Sequence, residues 1–451
     1  MPAIARHPAA LDLLADLIAR ARRAGADAAD AVHFTGVSES ASYRLGKTED
    51  IERAEGNDLG LRVFIGKRQS FVSSTDASPA ALGELVERAI AMARNAPEDR
   101  YCGLADPARL AKEFPDLDLV DDAEPTVEAL VARARVAEEA ALAVTGVTNS
   151  EGAGAGWSRS EVALATSDGF AGSYASSHHS VSVSVIAGDQ ARGMERDYDF
   201  ASARHLCDLA AAETVGRQAG ELAVRRVGPR KVASCKAPVV FAPRVALSLL
   251  GHLAGAIAGP SITRGTSFLK NRLHEPVFAA GIRITDDPHR RRGIKSRPFD
   301  GEGVANRKLD LVEDGRLTTW LLDSASARQL GLAATGHASR GTASPPSPST
   351  ANLYLAPGPL TPEALIGDIA QGFYVTELIG MGVNGVTGDY SRGAAGFWIE
   401  NGRIAYPVSE LTIAGNLKDM FRALTPANDL VFKYGTDSPT VRVEGMTVAG
   451  T

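Results

Sequence analysis

The sequence predicts an α+β protein, with an N-terminal α/β domain over residues 1–228 and a β-rich C-terminal domain over residues 229–451. In the first half, several segments carry apolar residues at helical spacing, and others alternate as strands do. In the second half, most segments are short and separated by Gly, Pro and Asp, which is typical of a strand-rich domain. The boundary follows Gly228, because Gly228-Pro229 ends the last long helical pattern of the first half.

The first half mixes helices with extended segments. The strict alternation VSVSV at residues 181–185 indicates a strand with one buried face, and Gly66-Lys67 indicates a hairpin turn. The predicted helices cover residues 9–23, 78–95, 125–144 and 199–224. The predicted strands cover residues 28–46, 59–65, 68–74, 161–166, 169–174 and 181–186. Residues 97–125 are rich in Pro and Asp, and we expect them to form a surface loop.

The second half is predominantly extended. The predicted strands cover residues 238–241, 281–285, 308–313, 317–322, 397–400, 403–407 and 440–448. The predicted helices cover residues 244–258, 324–330 and 361–371, and another follows residue 415. Residues 335–350 are rich in Pro, Ser and Thr, so we expect a mobile loop or linker there, and a gating role for residues 343–350 stays open.

Composition excludes several classes of protein. The chain has 451 residues, of which 44% are hydrophobic and 23% charged, as in ordinary globular proteins. Its net charge of −6 disfavours nucleic acid as a partner, and no apolar run approaches the roughly 20 residues of a membrane span. Cys102, Cys207 and Cys235 are widely spaced and form no CxxC motif, so we expect a reducing, cytoplasmic compartment without disulfides.

No catalytic residue and no metal ligand is predicted. His274-Glu275 is followed by Pro276, which would break the helix that a zinc-peptidase motif requires. A Ser-His-Asp triad lacks its usual G-x-S-x-G segment, and GAGAGW at residues 152–157 reads as a tight turn or bulge. His252 reads as a half-buried, hydrogen-bonded histidine of an apolar helix. The basic run at residues 289–292 reads as a solvated loop with local ion pairs.

Residues 380–396, GMGVNGVTGDYSRGAAG, contain six glycines in seventeen residues and no His, Cys or Glu. One interpretation is a set of tight turns; the other is a surface that receives a peptide through open backbone, since polar side chains lie among the glycines. A pair between Asp389 and Arg392 is an alternative role for those two residues. The candidate peptide-binding residues are Asn384, Thr387, Gly388, Asp389, Tyr390, Ser391, Arg392, Gly393, Gly396 and Asn416.

The segment GVNGVTGDYSRGAAGFWIENGRIAYPVSELTIAGNLKDM at residues 382–420 closely resembles the C-terminal signature of the TldD/PmbA family, also called the modulator of DNA gyrase family. Within that family it resembles the TldE/PmbA-type subunits. Other similar segments are GLRVFIGKRQSFVSSTD at 60–76, SFLKNRLHEPVFAAGIRITDDP at 267–288, SRPFDGEGV at 296–304 and SPTVRVEGMTVAGT at 438–451. The resemblance extends over nearly the whole chain.

The resemblance implies a fold and an assembly. It implies an α/β N-terminal domain followed by a barrel-like C-terminal domain, in a cytoplasmic assembly of one TldD-type and one TldE-type subunit. The TldD-type subunit would be a zinc endopeptidase with an HExxxH helix and a cysteine ligand near its C-terminus, acting on unfolded peptides. The family name implies no DNA binding.

This chain departs from the zinc motif. The HExxxH helix would align with residues 251–256, where Gly251 and Ala256 take the places of the two histidines and His252 that of the glutamate. No cysteine follows Cys235. The leading hypothesis is therefore a non-catalytic TldE-type subunit that pairs with a zinc-bearing TldD-type subunit and holds extended peptide by strand addition. Two alternatives stay open: a metal-independent peptidase acting alone, and a non-proteolytic homodimer that binds or regulates peptides.

Overall fold

The computed structural model of the chain describes residues 8–450. Its N-terminal half is an antiparallel sheet of six strands in the order β3-β2-β1-β4-β5-β6. Four of these strands are between 17 and 20 residues long. The strands are β1 (Ala28–Arg44), β2 (Lys47–Ile65), β3 (Arg68–Ser74), β4 (Val147–Thr166), β5 (Ala171–Asp189) and β6 (Gly193–Ala203).

Four helices cover one face of this sheet. Alternation along the strands places Ala31 of β1 and Ala163 of β4 on that face, where they pack under α1 and α2. Ala41 of β1 lies on the same face and packs under α3 and α4. These helices are α1 (Pro8–Arg23), α2 (Pro79–Asn95), α3 (Val127–Leu142) and α4 (Ala212–Arg226). The opposite face, which carries Val32, packs on Phe299 from the second half of the chain.

Two sequence predictions in this half are wrong. The three short strands predicted between residues 161 and 186 are parts of β4 and β5, each of which continues for many more residues. Residues 199–203 belong to β6 and pair with β5, so the predicted helix over 199–224 begins only at Ala212. The bulge expected near residues 152–157 is present, because the β4–β5 register shifts between Ser150 and Gly152.

The C-terminal half contains a closed β-barrel. Strands β16, β15, β14, β7 and β19 pair in that order, and β19 pairs back onto β16 to close the ring. Because every strand has two neighbours, the ring has no free edge. Its strands are β7 (Cys235–Phe241), β14 (Gln371–Ile379), β15 (Asp389–Glu400), β16 (Arg403–Asn416) and β19 (Val441–Ala449), and β17 (Leu424–Pro426) adds to β19. The barrel-like C-terminal domain implied by the resemblance is confirmed.

A smaller sheet and five helices surround the barrel. The sheet has the order β10-β9-β8-β13-β18, and a short β11–β12 hairpin lies apart from it. These strands are β8 (Ile284–Asp287), β9 (Leu309–Glu313), β10 (Arg316–Leu317), β11 (Ala338–Ser339), β12 (Ser347–Pro348), β13 (Asn352–Leu355) and β18 (Thr436–Asp437). The helices are α5 (Pro243–Ile257), α6 (Gly259–Thr263), α7 (Ser324–Leu330), α8 (Pro362–Ile366) and α9 (Leu417–Arg422).

The segment predicted as a mobile loop or linker, residues 335–350, is instead partly buried structure. His337 and Arg340 are buried, and β11 pairs with β12. A Cβ atom at Gly60 of β2 would lie only 2.7 Å from Thr342 Cα, so this segment sits directly on the N-terminal sheet. The segment therefore joins the two halves. The domain boundary at 228/229 stays a prediction. Within residues 8–450, no helix is long and apolar enough to cross a membrane.

Candidate functional site

Helix α5 carries the positions that align with a zinc motif, and its sequence explains its position. Pro243 begins the helix, and an apolar stripe that includes Leu249 and Leu253 is buried in the core of the C-terminal half. The opposite side carries Gly251 and Gly255, where an added Cβ atom would meet nothing within 4 Å. The absence of side chains there leaves open space along the helix.

That space is a cavity of about 250 Å³, which we call the α5 cavity. One wall is formed by α5 and the segment after it; the other comes from the β14–β15 connection and the start of β15 and α9. Its lining residues are Gly251, His252, Gly255, Ala256, Ser261, Thr266, Phe268, Met381, Val383, Gly385, Arg392 and Leu417. Three of the positions aligned with the zinc motif, Gly251, His252 and Ala256, therefore face one cavity.

Half-buried His252, which lines the α5 cavity, packs against the buried ring of Tyr390. Their rings lie edge to face with centroids 6.0 Å apart. Within residues 8–450, neither His252 Nε2 nor Tyr390 Oη has a hydrogen-bond partner, which corrects the expectation of a hydrogen-bonded histidine. Burial lowers the pKa of His252, and Arg392 lowers it further, so the imidazole is neutral at pH 7. Burial raises the pKa of Tyr390 well above its ordinary value, so the phenol stays protonated.

Arg392 is the charged residue of the α5 cavity. Its Nε donates a long hydrogen bond of 3.4 Å to the Ile379 carbonyl. No carboxylate in the described part of the chain lies within ion-pairing distance of it. The predicted alternative, a pair with Asp389, is therefore wrong: Asp389 instead accepts hydrogen bonds from Thr387 Oγ1 at 2.6 Å and from Asn416 Nδ2 at 3.0 Å.

The Thr387–Asp389–Asn416 network holds the β14–β15 connection against α9. Asn416 Nδ2 also donates to the Thr387 carbonyl at 3.2 Å, and Asn416 Oδ1 accepts from the Lys418 amide as the N-cap of α9. Hydrogen bonds from Thr387 and Asn416 hold the pKa of Asp389 below its ordinary value. Gly388 lies in the left-handed region at φ 86°, where glycine is the natural residue.

The block at residues 380–396 is thus half connection and half barrel strand. From Asp389 onward it belongs to β15, which pairs with β16 on one side. On the other side, β15 pairs with β14 from Gly393 onward. Before Gly393 it pairs with the connection itself, where the Ser391 amide donates a hydrogen bond of 2.7 Å to the Gly382 carbonyl. Strand addition is therefore not available at residues 389–396, which corrects the predicted mode of peptide binding.

The candidate residues divide between two cavities and the barrel. Arg392 lines the α5 cavity, and Asn416 lines a neighbouring cavity of about 300 Å³. Tyr390 is buried beside the first, and Gly396 is buried in the barrel at a register shift of β15. The second cavity is lined by Leu269, Arg272, Pro276, Val277, Asn416, Lys418, Asp419 and Arg422. Sequence reasoning did not name Arg272, Lys418 or Arg422, since isolated basic residues carry no motif.

Exposed apolar side chains lie on or next to the β14–β15 connection, and one of them, Met381, lines the α5 cavity. Met381 is 89% exposed, Ile379 is 58% exposed and Val386 is 54% exposed. Large apolar side chains grouped on one exposed connection are typical of a surface that binds another chain. The cavity thus combines an apolar rim with one positive charge.

The α5 cavity does not have the donor set of a zinc site. Zinc takes three or four His, Cys or carboxylate ligands, whereas this cavity offers one imidazole and the guanidinium of Arg392, which would repel a dication. More generally, no group of three or more His, Cys, Asp or Glu side chains among residues 8–450 could hold a metal ion.

A buried histidine of β5 and the basic run have structural roles. His179 is fully buried and its Nε2 lies 3.2 Å from Asp121 Oδ2. In the basic run, Arg291 and Arg292 both pair with Asp118, and Arg292 also pairs with Asp208. The run therefore forms ion pairs, but with carboxylates distant in sequence, and the prediction of local pairs is wrong.

The fold and the cavity define a class: an α+β protein with a six-stranded N-terminal sheet, a closed C-terminal barrel and a small cavity beside helix α5. Family models match in three consecutive parts: PmbA/TldA metallopeptidase domain 1 at residues 29–93, the central domain at 121–227 and the C-terminal domain at 234–450. The chain belongs to the PmbA/TldD metallopeptidase family.

Relatives agree with this assignment. The chain is 42% identical to "Metalloprotease PmbA" of Escherichia coli O157:H7, over 92% of this chain and 90% of that protein. It is 37% identical to a PmbA homolog of Haemophilus influenzae, over 95% and 94%. A structure from Bacteroides thetaiotaomicron, named as a modulator of DNA gyrase, aligns with a TM-score of 0.89 at 26% identity, over 98% of each chain. TldE from Thermococcus kodakarensis has the same fold, with a TM-score of 0.87 at 20% identity, over 97% and 100%.

Proposed function

We propose that this chain is the non-catalytic, TldE/PmbA-type subunit of a cytoplasmic zinc peptidase assembly that acts on unfolded peptides. The observation that carries the proposal is the α5 cavity, where Gly251, His252 and Ala256 occupy the positions of the HExxxH motif. Without three ligands no metal-bound water is available for hydrolysis, so the chemistry belongs to a TldD-type partner. The relatives support this branch, since identity is 42% to a PmbA protein and 24% to a TldD homolog of Buchnera aphidicola, which matches over 52% of this chain.

In this proposal the chain contributes a binding surface. The apolar rim around Met381 and the positive cavities beside it contact peptide, and the closed barrel supports them rigidly. Because β15 has no free edge beside the α5 cavity, side chains and the cavity hold the peptide there.

The test is co-expression of this chain with a TldD-type subunit, followed by co-purification, metal analysis and cleavage of unfolded casein. We expect a stable complex with zinc near one equivalent, zinc-free chain when it is purified alone, and cleavage by the complex only. The matched control is the complex with the histidines of the partner's HExxxH motif replaced, which should assemble without cleaving.

Two outcomes would replace the proposal by its alternatives. Casein cleavage by the isolated chain in the presence of a chelator would indicate a metal-independent peptidase. A homodimer that binds peptide, combined with failure to associate with the TldD-type subunit, would indicate a non-proteolytic peptide-binding protein.

A further inference from the structure

We propose that the α5 cavity binds the C-terminal carboxylate of an unfolded peptide, with Arg392 as its counter-ion. The inference rests on the proposed function and specifies which part of the peptide this subunit holds. The cavity then holds the C-terminal end of the bound peptide and not an internal segment of it.

The charge of Arg392 is the first feature of the α5 cavity that favours a carboxylate. Arg392 is half-buried at the cavity wall, and no carboxylate in the described part of the chain lies within ion-pairing distance of it. Other half-buried arginines are held by carboxylates, as Arg226 is by Glu377, or by several backbone carbonyls, as Arg204 is, whereas Arg392 makes one long hydrogen bond to a carbonyl. A guanidinium presents several N–H donors in a plane that matches a carboxylate, so an unpaired one beside a cavity selects that group.

The electrostatic field around the cavity also favours an anion. In the neighbouring cavity, Arg272, Lys418 and Arg422 outnumber the single carboxylate of Asp419. Both cavities are therefore positive, although the whole chain has a net charge of −6. A local charge opposite in sign to the whole chain draws anionic groups to this place.

The size of the α5 cavity and its apolar wall suit one residue at the end of a peptide. The volume of about 250 Å³ lies below the roughly 300–1,000 Å³ of pockets that enclose whole drug-sized ligands, so it suits one terminal residue. Phe268, Val383 and Leu417 form an apolar wall beside Arg392. This combination fits a terminal residue with an apolar side chain, whose carboxylate meets the guanidinium while the side chain contacts the wall.

Two buried polar atoms at or next to the cavity, one on Tyr390 and one on His252, have no hydrogen-bond partner in the described part of the chain. Tyr390 is only 1% exposed, and the two atoms are its Oη and the Nε2 of His252. Buried polar atoms without partners are uncommon and mark places where a ligand completes the hydrogen bonding.

The test measures fluorescence anisotropy of N-terminally labelled peptides with the isolated full chain. Three octapeptides are compared: one ending in leucine with a free carboxylate, the same peptide as a C-terminal amide, and the amide with an internal glutamate. We expect the free acid to bind at least about tenfold more tightly than either amide, the effect of one charge-assisted hydrogen-bonding pair.

Variants separate the contact from the fold. Arg392→Gln should abolish the difference between acid and amide, and Arg392→Lys should retain part of it. Arg403→Gln, which changes an exposed arginine at the opposite end of the β15–β16 hairpin, is the matched control and should leave the difference unchanged. Gly251→Leu fills the cavity from a position with free space and should weaken all three peptides.

Equal binding of acid and amide by the unchanged chain would overturn the inference, as would a preference that survives Arg392→Gln. Tight binding of the glutamate-containing amide would assign the anion to a side chain and would also overturn it. None of these results affects co-purification with a TldD-type subunit or the distribution of zinc, so a failure of this inference is distinguishable from a failure of the proposed function.

Discussion

The ring of His252 on α5 meets the ring of Tyr390 on β15 edge to face, with centroids 6.0 Å apart, and a polar atom of each has no hydrogen-bond partner among residues 8–450. An unpaired buried donor or acceptor costs about 1–3 kcal/mol. The folded chain therefore carries two unfavourable groups at one place, next to a cavity. Such an arrangement is typical of a binding site, where a ligand relieves the cost.

Replacement of Tyr390 by phenylalanine should stabilise the protein. Tyr390→Phe removes the buried hydroxyl while the ring keeps its packing, so we expect the free energy of unfolding to rise by up to about 1 kcal/mol, measured by urea denaturation. Tyr406→Phe is the control, because Tyr406 Oη donates to Glu400 Oε1 at 3.2 Å, and it should give no gain. A destabilised Tyr390→Phe protein would show that the hydroxyl has a partner.

The β14–β15 connection should tolerate alanine at Gly385 but not at Gly388. Gly388 has φ 86°, and an added Cβ atom would lie 2.9 Å from Asn416 Oδ1. We expect Gly388→Ala to lower the free energy of unfolding by about 1–2 kcal/mol, from the strain of a left-handed residue. Gly385→Ala, where nothing lies within 4 Å, should change it by less than about 0.5 kcal/mol. Equal effects in thermal melts would contradict this interpretation.

The buried carboxylate of Asp30 should be essential for folding stability. It pairs with both Arg62 and Arg340, and all three side chains are nearly inaccessible. Asp30→Asn removes the paired carboxylate of buried Arg340 and leaves buried Arg62 only with Glu302, whose carboxylate oxygen lies 3.9 Å away. We therefore expect a loss of about 3–5 kcal/mol in urea denaturation at pH 7. The control is Asp16→Asn, since Asp16 forms an exposed pair with Arg20 and should contribute less than about 1 kcal/mol.

The same group also predicts behaviour in acid. Burial raises the pKa of Asp30, but Arg340 and Arg62 outweigh burial and hold the pKa below its ordinary value. Its folded pKa is below its unfolded pKa, so its contribution to stability is present above about pH 4 and is lost as the pH falls further. A wild-type protein that is as stable at pH 3 as at pH 6 would contradict this role.

Asp300 should affect the pH dependence of stability in the direction opposite to that of Asp30. Burial, together with the nearby carboxylate of Glu302, raises the pKa of Asp300 to about 7. The folded state then binds more protons than the unfolded state between about pH 4 and 7, so this group lowers stability as the pH rises through that range. We expect Asp300→Asn to remove this decrease, measured as the difference in free energy of unfolding between pH 5 and pH 7.5. The control Asp116→Asn, at an exposed carboxylate, should keep the wild-type difference.

Local sequence signals predicted helices well where the signal lies within the helix itself. The limits of α2 were predicted within one residue, because Ser78 accepts a hydrogen bond from the Ala81 amide and Pro79 follows it. Helix α7 was predicted in full, and α5 within one residue at each end. Apolar spacing and caps are properties of a few consecutive residues, so one sequence is enough to recognise them.

Strand lengths depended on distant partners. Residues 47–57, KTEDIERAEGN, are exposed and polar, and no local pattern indicates a strand. They form one because all of them except Glu49, at a register shift, pair with residues of β1. Similarly, residues 199–203 were predicted as helix and are strand, since β5 supplies the hydrogen bonds. The intrinsic strand propensity of a residue has less effect than its pairing with a neighbouring strand. Sequence patterns therefore underestimate the length of a strand wherever that pairing is what holds the chain extended.

By itself the sequence determined the α+β class, most helices and the family, and it placed Gly251 and Ala256 where the resemblance implies zinc-binding histidines. Only the tertiary structure decided that these positions face Arg392 across one cavity, because residues about 140 apart in the chain have no local signal of contact. It also decided that β15 has both edges paired, since closure of the barrel is a property of all five strands. The glycine-rich block is thus half barrel wall and half rim of the α5 cavity.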